Sequence, residues 1–470
     1  MLLPLIIPKV SPAVDRFEGS IVTLSPVFWG WVIGTLIMTL IIVLRQDELA
    51  ATIVIASSII IDLYLGLYFV SLLVAFILLL TFFLARSPRY LWVKPPALWL
   101  WSLLLVLAIF PATQGIDFFD STQYYLRVFL SAFIIFWLGT LLARDITSIR
   151  RLLRMLYIFG VLVAIITIIQ VTTGKLLFGT PRYAAQLQSV SGYQLGATGI
   201  NRAGAFLINP DPNGCFLAMV LMIGLGLLVE SPSLTNKVFF FAGSLLTALA
   251  LLFTFSTEGM AGAISGSLVL LALVGRMRYR VSLLLLISGA AIVIFISVPT
   301  QIHLLLQHAE TPSELQLRVG AWQTGIRVIQ AFPLTGLGLG NDVYRLRAEP
   351  YRVLAQHSIL NHPHDAYLEW AALGGIPILI IFIMLLSIAL CLALHNWRLA
   401  DVHGRPLLGV GIAVATVLCF YSLSDAGWTF TPLAAFGWMI LGLISSPLLR
   451  TREKSSNTQK DSIDTKRNSI

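Results

Sequence analysis

Titratable side chains collect in one polar stretch of an otherwise apolar sequence, between Thr311 and Leu373. Five of the seven histidines lie in or just before this stretch, together with five arginines and no lysine. Groups that exchange protons or bind anions are gathered here rather than spread along the chain. This concentration predicts a functional site within the stretch.

His362 and His364 are separated by a single proline. Residues at this spacing cannot share a helix face, but they can line the rim of a pocket. We predict that they act as general base or proton relay, because an imidazole pKa of about 6.5 suits neutral pH. A metal is the weaker alternative and none is predicted, since no third ligand has convincing spacing. In a structural alternative, Asp365 caps the next helix and the histidines are surface residues.

A helix is predicted to begin at Thr311, because a capping threonine is followed by proline at the first helical position. It should run to about Phe332, where Pro333 ends it. Its apolar residues recur at helical spacing, which predicts an amphipathic helix on the membrane surface or against a bundle. These apolar residues are Leu315, Val319, Trp322, Ile326 and Ile329.

Two arginines of this helix are candidate site residues. Arg318 lies one turn before Trp322, and we predict a catalytic role for Arg318 and substrate binding for Trp322 and Arg327. A guanidinium near a bilayer can instead extend to lipid phosphate. That alternative is open for Arg327, and has less force for Arg318 because of the motif described below.

Three alternating glycines, Gly336, Gly338 and Gly340, superficially resemble a nucleotide-binding loop. They follow a helix rather than a strand and lack the rest of such a motif, so we reject nucleotide binding. A tight turn after Pro333 is the better prediction.

A second polar segment, 174–212, is basic and suits an anionic partner, so we predict substrate binding for Arg202. The sequence Asn209–Asn213 is equally a helix-entry turn, which leaves a structural role for Arg202 open. Glu258 lies at the end of an apolar span, where an ionisable group is costly unless paired, so it is also a candidate. Asp62 and Asp425, near other span ends, are interpreted as turn residues.

The composition predicts the kind of fold that holds these residues in place. The chain has 470 residues, of which 57% are hydrophobic and 11% charged, with mean hydropathy +0.88. Runs of about 20 apolar residues can cross a bilayer, and only helices or closed barrels do so. We therefore predict an all-α, polytopic membrane bundle of 12 or 13 helices. The candidate spans are 26–44, 49–84 (two short spans with a turn near 61–66), 97–113, 124–142, 152–173, 213–229, 237–255, 258–275, 281–298, 373–394, 405–424 and 430–448.

The distribution of basic residues predicts which side each loop faces. Arginine-rich loops near residues 86–94, 144–154, 276–280 and 450–454 fall on one side when crossings are counted alternately. The positive-inside rule makes this side, and the C-terminus, cytoplasmic. Segments 174–212 and 299–372 then lie outside, with membrane helices at 26–298 and 373–449. Residues 1–25 lack the order of a signal peptide, and the tail 450–470 is predicted to be disordered.

Three scattered cysteines favour neither a disulfide framework nor a metal cluster. The net charge of +9 sits mainly between spans, so membrane lipid rather than nucleic acid is the expected partner. No cofactor is predicted.

The polar motifs resemble those of the O-antigen ligase/polymerase family, bacterial membrane proteins that handle lipid-linked glycans. Three blocks within about 200–380 carry the resemblance. They are Arg318-x-x-x-Trp322 followed by Pro333-x-x-Gly-x-Gly-x-Gly340, His362-x-His364-Asp365-x-Tyr-Leu-Glu369, and Arg202-x-Gly-x-Phe206 with Asn209–Asn213. Two positions depart from the family pattern: Asp365 replaces an asparagine, and Glu258 stands where a phosphate-binding arginine is usual.

The resemblance implies transfer of a glycan from polyprenyl diphosphate to a glycan or lipid acceptor at the outer leaflet of a bacterial plasma membrane, without a metal. Arginines would hold the diphosphate, His364, with His362, would be the base, and Asp365 would orient it. Two alternatives remain: a transporter of a small anion such as bicarbonate or of a lipid-linked intermediate, and a non-catalytic scaffold, which Glu258 favours.

Overall fold

The structure is a computed structural model that describes residues 47–64, 70–85, 93–173, 202–274, 280–281, 284, 312–353, 362–402 and 404–449. The predicted span 26–44, most of the span 281–298, most of segment 174–212, four histidines (303, 308, 357 and 403) and the tail 450–470 lie outside these residues. The helix total of 12 or 13 and the domain limits therefore stay predictions.

The described residues form helices joined by short connections, without a strand, which confirms the all-α prediction. The α-helices, labelled α1 to α15 in chain order, are Asp47–Ser57, Val70–Ala85, Leu98–Thr113, Phe118–Tyr124, Ser131–Leu142, Ile146–Thr173, Pro210–Glu230, Leu234–Thr254, Thr257–Leu273, Pro312–Ala331, Val343–Arg347, Ala366–Gly374, Ile376–Leu399, Gly404–Tyr421 and Thr431–Ser445. Short π-helical or 3₁₀ turns lie at Ser58–Tyr64, Tyr125–Leu130, Ala205–Leu207 and Glu349–Tyr351.

Six helical segments in the described part of the chain are long and apolar enough to cross a membrane. They are Phe118–Leu142, Ile146–Thr173, Pro210–Glu230, Leu234–Thr254, Ile376–Leu399 and Gly404–Tyr421. Four shorter apolar helices accompany them. The long apolar run 49–84 holds two helices, as predicted. The first is helical through Tyr64, so residues 61–64 of the predicted turn are helical instead, and the second begins at Val70. Asp62 links the two helices, because its carboxylate accepts a hydrogen bond from the Ser71 backbone N–H at 3.3 Å.

Small residues bring the central helices close together. A Cβ atom on Gly259, in the first turn of α9, would lie 2.7 Å from the Gly214 carbonyl carbon in α7. A Cβ on Gly266, two turns later, would meet Val417 of α14 at 2.6 Å. Such glycines allow backbones to approach closely in a bundle that cannot gain from expelling water between lipid-facing helices. The start of α9, which carries Glu258, is thereby fixed against the start of α7.

Contacts at the helix ends define two ends of the bundle. Arg150 pairs with Glu230 at one end, which we call the basic end. Five more arginines lie there: Arg144, Arg151, Arg154, Arg398 and Arg405. At the other end, the Ala366 N–H donates to the Ser422 carbonyl at 2.9 Å. This end, which we call the loop end, carries 202–211, 254–258, 362–376 and 421–431.

Candidate functional site

The helix predicted from 311 to 332 is observed as α10, Pro312–Ala331. Arg318 and Trp322 are four residues apart and therefore lie on one face. Trp322 Nε1 donates to the His364 carbonyl oxygen at 2.9 Å. Arg318 forms an ion pair with Glu258. One face of α10 thus connects four of the predicted site residues.

Arg327 does not join them. It lies nine residues after Arg318, which is half a turn out of phase on an α-helix, and its side chain is exposed. The structure therefore separates Arg327 from the other candidates. Its side chain lies on the opposite face of α10, so its position does not support the predicted contact with substrate.

The His362–His364 segment folds tightly over α10. His364 has a φ of 52°, in the left-handed region, and its N–H donates to His362 Nδ1 at 3.2 Å. The two imidazole rings lie 4.3 Å apart, centre to centre. Gly325 of α10 makes room for Pro363, since a Cβ there would be 3.1 Å from the Pro363 Cβ. The hydrogen bond within the segment and the packing of Pro363 on α10 thus hold the two histidines in place.

Asp365 caps the next helix, because its carboxylate accepts the Leu368 N–H at 2.9 Å. This is the structural alternative given above for Asp365. The carboxylate that we predicted would orient His364 is used for the helix cap. The carboxylate that faces the histidines instead is Asp425, whose Oδ1 lies 3.8 Å from His362 Nε2.

Asp425 is itself held in place. The Tyr421 hydroxyl donates to its Oδ2 at 2.6 Å, and the Ala426 N–H donates to its Oδ1 at 2.7 Å. From the sequence, Asp425 is interpreted as a turn residue, because it lies near the end of an apolar span. The signals were an acidic residue at the end of a span and a tyrosine four positions earlier, and both are common in turns.

The site favours neutral histidine beside ionised carboxylate. Burial, together with electrostatic repulsion from His362 and Arg318, lowers the pKa of His364 to about 4, against the opposing effect of Asp425. Burial would raise the pKa of Asp425, but His362 and the Tyr421 hydrogen bond outweigh burial and hold it below its ordinary value. Near neutral pH, His364 therefore has a free lone pair that can accept a proton.

Glu258 is buried in the first turn of α9, with a side chain 4% exposed. Ser256 caps this helix by accepting the Gly259 N–H at 3.1 Å, and its hydroxyl lies 3.3 Å from Glu258 Oε2. A carboxylate is stabilised at a helix N-terminus by the helix dipole, and here also by the Arg318 guanidinium. The positive charge of Arg318 is therefore neutralised by the buried carboxylate of Glu258.

Arg202 ties two helix ends together. Its Nε donates to the Thr254 carbonyl at 2.8 Å, its Nη2 to the Phe255 carbonyl at 3.3 Å, and it forms an ion pair with Asp211. Its side chain is only 7% exposed. These contacts join the C-terminus of α8 to the start of α7, which is the structural role that the sequence left open. Asn209 caps α7 by accepting the Asp211 N–H, as the helix-entry prediction required.

We expect Arg202→Ala to lower the thermal stability of the purified protein in detergent by several degrees. Removing the guanidinium leaves the Asp211 carboxylate without its partner, a change that costs roughly 3–5 kcal/mol in buried pairs. Thermal unfolding of wild type, Arg202→Ala and Arg202→Lys would measure it, with Arg327→Ala as the exposed control. Equal melting temperatures for Arg202→Ala and Arg327→Ala would contradict the structural role.

Glu369 is a further buried carboxyl that the sequence did not single out as a site residue. It accepts a hydrogen bond from the Thr429 hydroxyl at 2.7 Å, and burial raises its pKa. Tyr124 contacts its other oxygen at 3.4 Å. These bonds connect α12 to α4 and to the turn between α14 and α15, so Glu369 supports the loop that carries the histidines.

The glycine loop forms the tight turn that was predicted. Gly336, Gly338 and Gly340 all have positive φ values, and a Cβ on Gly336 would lie 2.3 Å from the Leu373 carbonyl oxygen. A cavity of about 510 Å³ lies beside this loop, lined in part by Arg347 and Gln114. It does not include Arg202, Arg318 or His364, so it is separate from the residue cluster described above.

Comparison with known families places most of this cluster in one matched segment. Residues 242–383 match the sequence model described as O-antigen ligase. The match covers less than a third of the chain, and it includes Glu258, Arg318 and the histidine pair but not Arg202 or Asp425. No curated protein matches the chain. The resemblance found in the sequence motifs is thus confirmed as a match to this family, and it supports a role in surface polysaccharide biosynthesis.

Proposed function

We propose that the protein transfers or polymerises a glycan carried on a polyprenyl diphosphate, such as undecaprenyl diphosphate, as a glycosyltransferase of the bacterial cell envelope. One observation carries the proposal: the Trp322 hydrogen bond to the His364 carbonyl holds the helix face that carries Arg318 against the histidine segment, 46 positions later in the chain. A permanent cation and a neutral base beside each other are what transfer from a diphosphate requires.

In the proposed reaction, the Arg318 guanidinium contacts the diphosphate of the donor. The acceptor hydroxyl oxygen forms a bond to the anomeric carbon, the bond from that carbon to the phosphate oxygen breaks, and polyprenyl diphosphate leaves with the electron pair. His364 accepts the hydroxyl proton. Arg318 stabilises the negative charge that grows on the leaving group, and Asp425 stabilises the positive charge that arises on the histidine pair. No step uses a metal.

We infer the side of the membrane from charge. Six arginines of the described residues lie in or beside the short connections of the basic end, and the positive-inside rule, which counts short loops, favours a cytoplasmic position for that end. The loop end then faces the outside of the plasma membrane, where a lipid-linked donor presents its glycan after translocation.

A transporter of a small anion or lipid-linked intermediate is the alternative. Transport sites in helical bundles lie near the bilayer midplane, between broken helices. Here Arg318, His364 and Asp425 gather at the loop end instead, which favours transfer. Membranes that hold the wild-type protein should therefore convert a labelled lipid-linked donor into acceptor-linked glycan, and flux of intact donor without any new linkage would contradict the proposal.

We expect the transfer rate to be nearly constant from about pH 6 to pH 8 and to fall only as the pH approaches 4. The active form of His364 is neutral, so activity is present above its pKa of about 4 and is lost as protonation proceeds below it. His362, Arg318 and Asp425 are the ionisable groups that face it. Initial rates in chelator-containing buffer, with recovery checked at pH 7, would measure this. A midpoint near pH 6.5 would show that the histidine is not held neutral as the structure indicates.

We expect Glu258→Gln to lower the KM for the donor by up to about tenfold, which corresponds to ~1.4 kcal/mol. The carboxylate competes with donor phosphate for the Arg318 guanidinium, and the amide keeps its shape without the charge. The measurement is donor saturation in membranes, with protein amount determined by blotting. An unchanged KM would mean that donor phosphate does not replace Glu258 at Arg318.

A further inference from the structure

His362, His364 and Asp425 form a cluster whose potential ligand atoms all lie within 4.8 Å of one another. The sequence offered only two ligands here, and the fold supplies a third from the end of α14. We propose that this cluster binds a divalent transition metal ion such as zinc, and that the bound ion inhibits glycan transfer. The inhibition rests on the proposed function, whereas metal binding does not.

The ligand set fits this class of ion. Two imidazoles and one carboxylate form a two-histidine, one-carboxylate set, which suits zinc, iron, cobalt or nickel and not magnesium or calcium. Three protein ligands leave a position open for water or substrate. Ligands about 2.0–2.1 Å from a tetrahedral zinc ion are roughly 3.3 Å apart, so side-chain movements of about 1 Å close the site.

Neighbouring groups already orient two of the ligands. The Asp425 carboxylate is held by the Tyr421 hydroxyl and the Ala426 N–H. Trp322 fixes the backbone at His364 through its carbonyl oxygen. Partners of this kind orient metal ligands and raise affinity. Metal binding costs His362 one hydrogen bond. Its Nδ1 accepts the His364 N–H, but coordination through Nε2 places the ring proton on Nδ1, which can then no longer accept.

Metal binding and proton acceptance exclude each other at His364. A coordinated imidazole has donated its lone pair to the ion, so it cannot accept the proton of an acceptor hydroxyl. The transfer reaction itself uses no metal, and its rate should therefore be highest when metal is absent. Zinc would act as a reversible inhibitor at the base.

Metal binding would be measured directly on the full chain, purified in detergent and stripped with chelator. Equilibrium dialysis against zinc should show one ion per chain, and cobalt should give the visible absorption of a four-coordinate site. Asp425→Asn and His362→Ala should each weaken zinc binding by at least about 100-fold. Loss of a group that only orients a ligand costs up to about 100-fold, and loss of a ligand itself should cost no less. His395→Ala, which removes an exposed histidine of α13, is the matched control and should bind like wild type.

Activity is measured separately in membranes. Chelated membranes should transfer glycan at full rate, added zinc should stop transfer, magnesium should not, and fresh chelator should restore it. Zinc bound equally by wild type, Asp425→Asn and His362→Ala would overturn the proposed site. Zinc bound at the site without inhibition would overturn the proposed effect. Transfer that requires zinc would overturn both the inhibition and His364 as base, while leaving the metal site itself intact.

Discussion

Replacing His364 by alanine is expected to lower glycan transfer by about 10²–10⁴-fold, the range lost when a general base is removed. The reason is geometric as well as chemical. His364 is fixed through its backbone to Trp322, is held neutral by burial, and lies next to the arginine that meets the leaving group. The measurement is initial rate in membranes with saturating donor, normalised to the amount of inserted protein.

The control for this experiment is His395→Ala, an exposed histidine on α13, which should transfer normally. Asp365→Asn is a second comparison, because an asparagine can still cap α12 through its side-chain oxygen. It should keep most of the activity, since the carboxylate that faces the histidines is Asp425. Near-normal transfer by His364→Ala would remove the proposed base, and a large loss in Asp365→Asn would return the orienting role to Asp365.

Arg318→Ala is expected to lower transfer by about 10²–10³-fold, or ~2.7–4 kcal/mol, as when one donor to a developing negative charge is removed. Most of the loss should fall on kcat, because the charge on the leaving diphosphate grows in the transition state. Arg318→Lys should retain part of the rate, since a lysine keeps the charge but not the paired donors.

Arg327→Ala is the matched control on the same helix. It removes the same side chain from the opposite, exposed face, and transfer should change little. Since Arg318→Ala also leaves the buried Glu258 carboxylate unpaired, the double variant Arg318→Ala with Glu258→Gln restores the charge balance. If the double variant is as active as wild type, Arg318 serves only to neutralise Glu258 and does not contact the donor.

Local sequence signals predicted the local parts of this site. Pro312 predicted the start of α10 and Pro333 its end, and local signals of the same kind predicted the cap by Asp365 and the glycine turn. Each of these features is decided by residues within a few positions of one another. The all-helical bundle followed from hydropathy, because lipid permits few other structures.

Contacts between distant segments could not be predicted this way. Asp425 reaches the histidines, and Glu258 reaches Arg318, only because the ends of α9, α10 and α14 meet at the loop end. No spacing in the sequence encodes that meeting. Arg202 illustrates the same limit, since its type suggested an anion and its neighbours proved to be two carbonyls and Asp211.

Reconstitution of the purified chain is the most direct test of whether it transfers glycan from a lipid-linked donor. The purified chain would be placed in liposomes with a labelled oligosaccharide on polyprenyl diphosphate and an acceptor fraction extracted from the same cells. Wild-type protein should release polyprenyl diphosphate and link the label to acceptor or to longer glycan, and His364→Ala should do neither. Intact labelled donor or anion crossing the liposome membrane, with no polyprenyl diphosphate released, would contradict it.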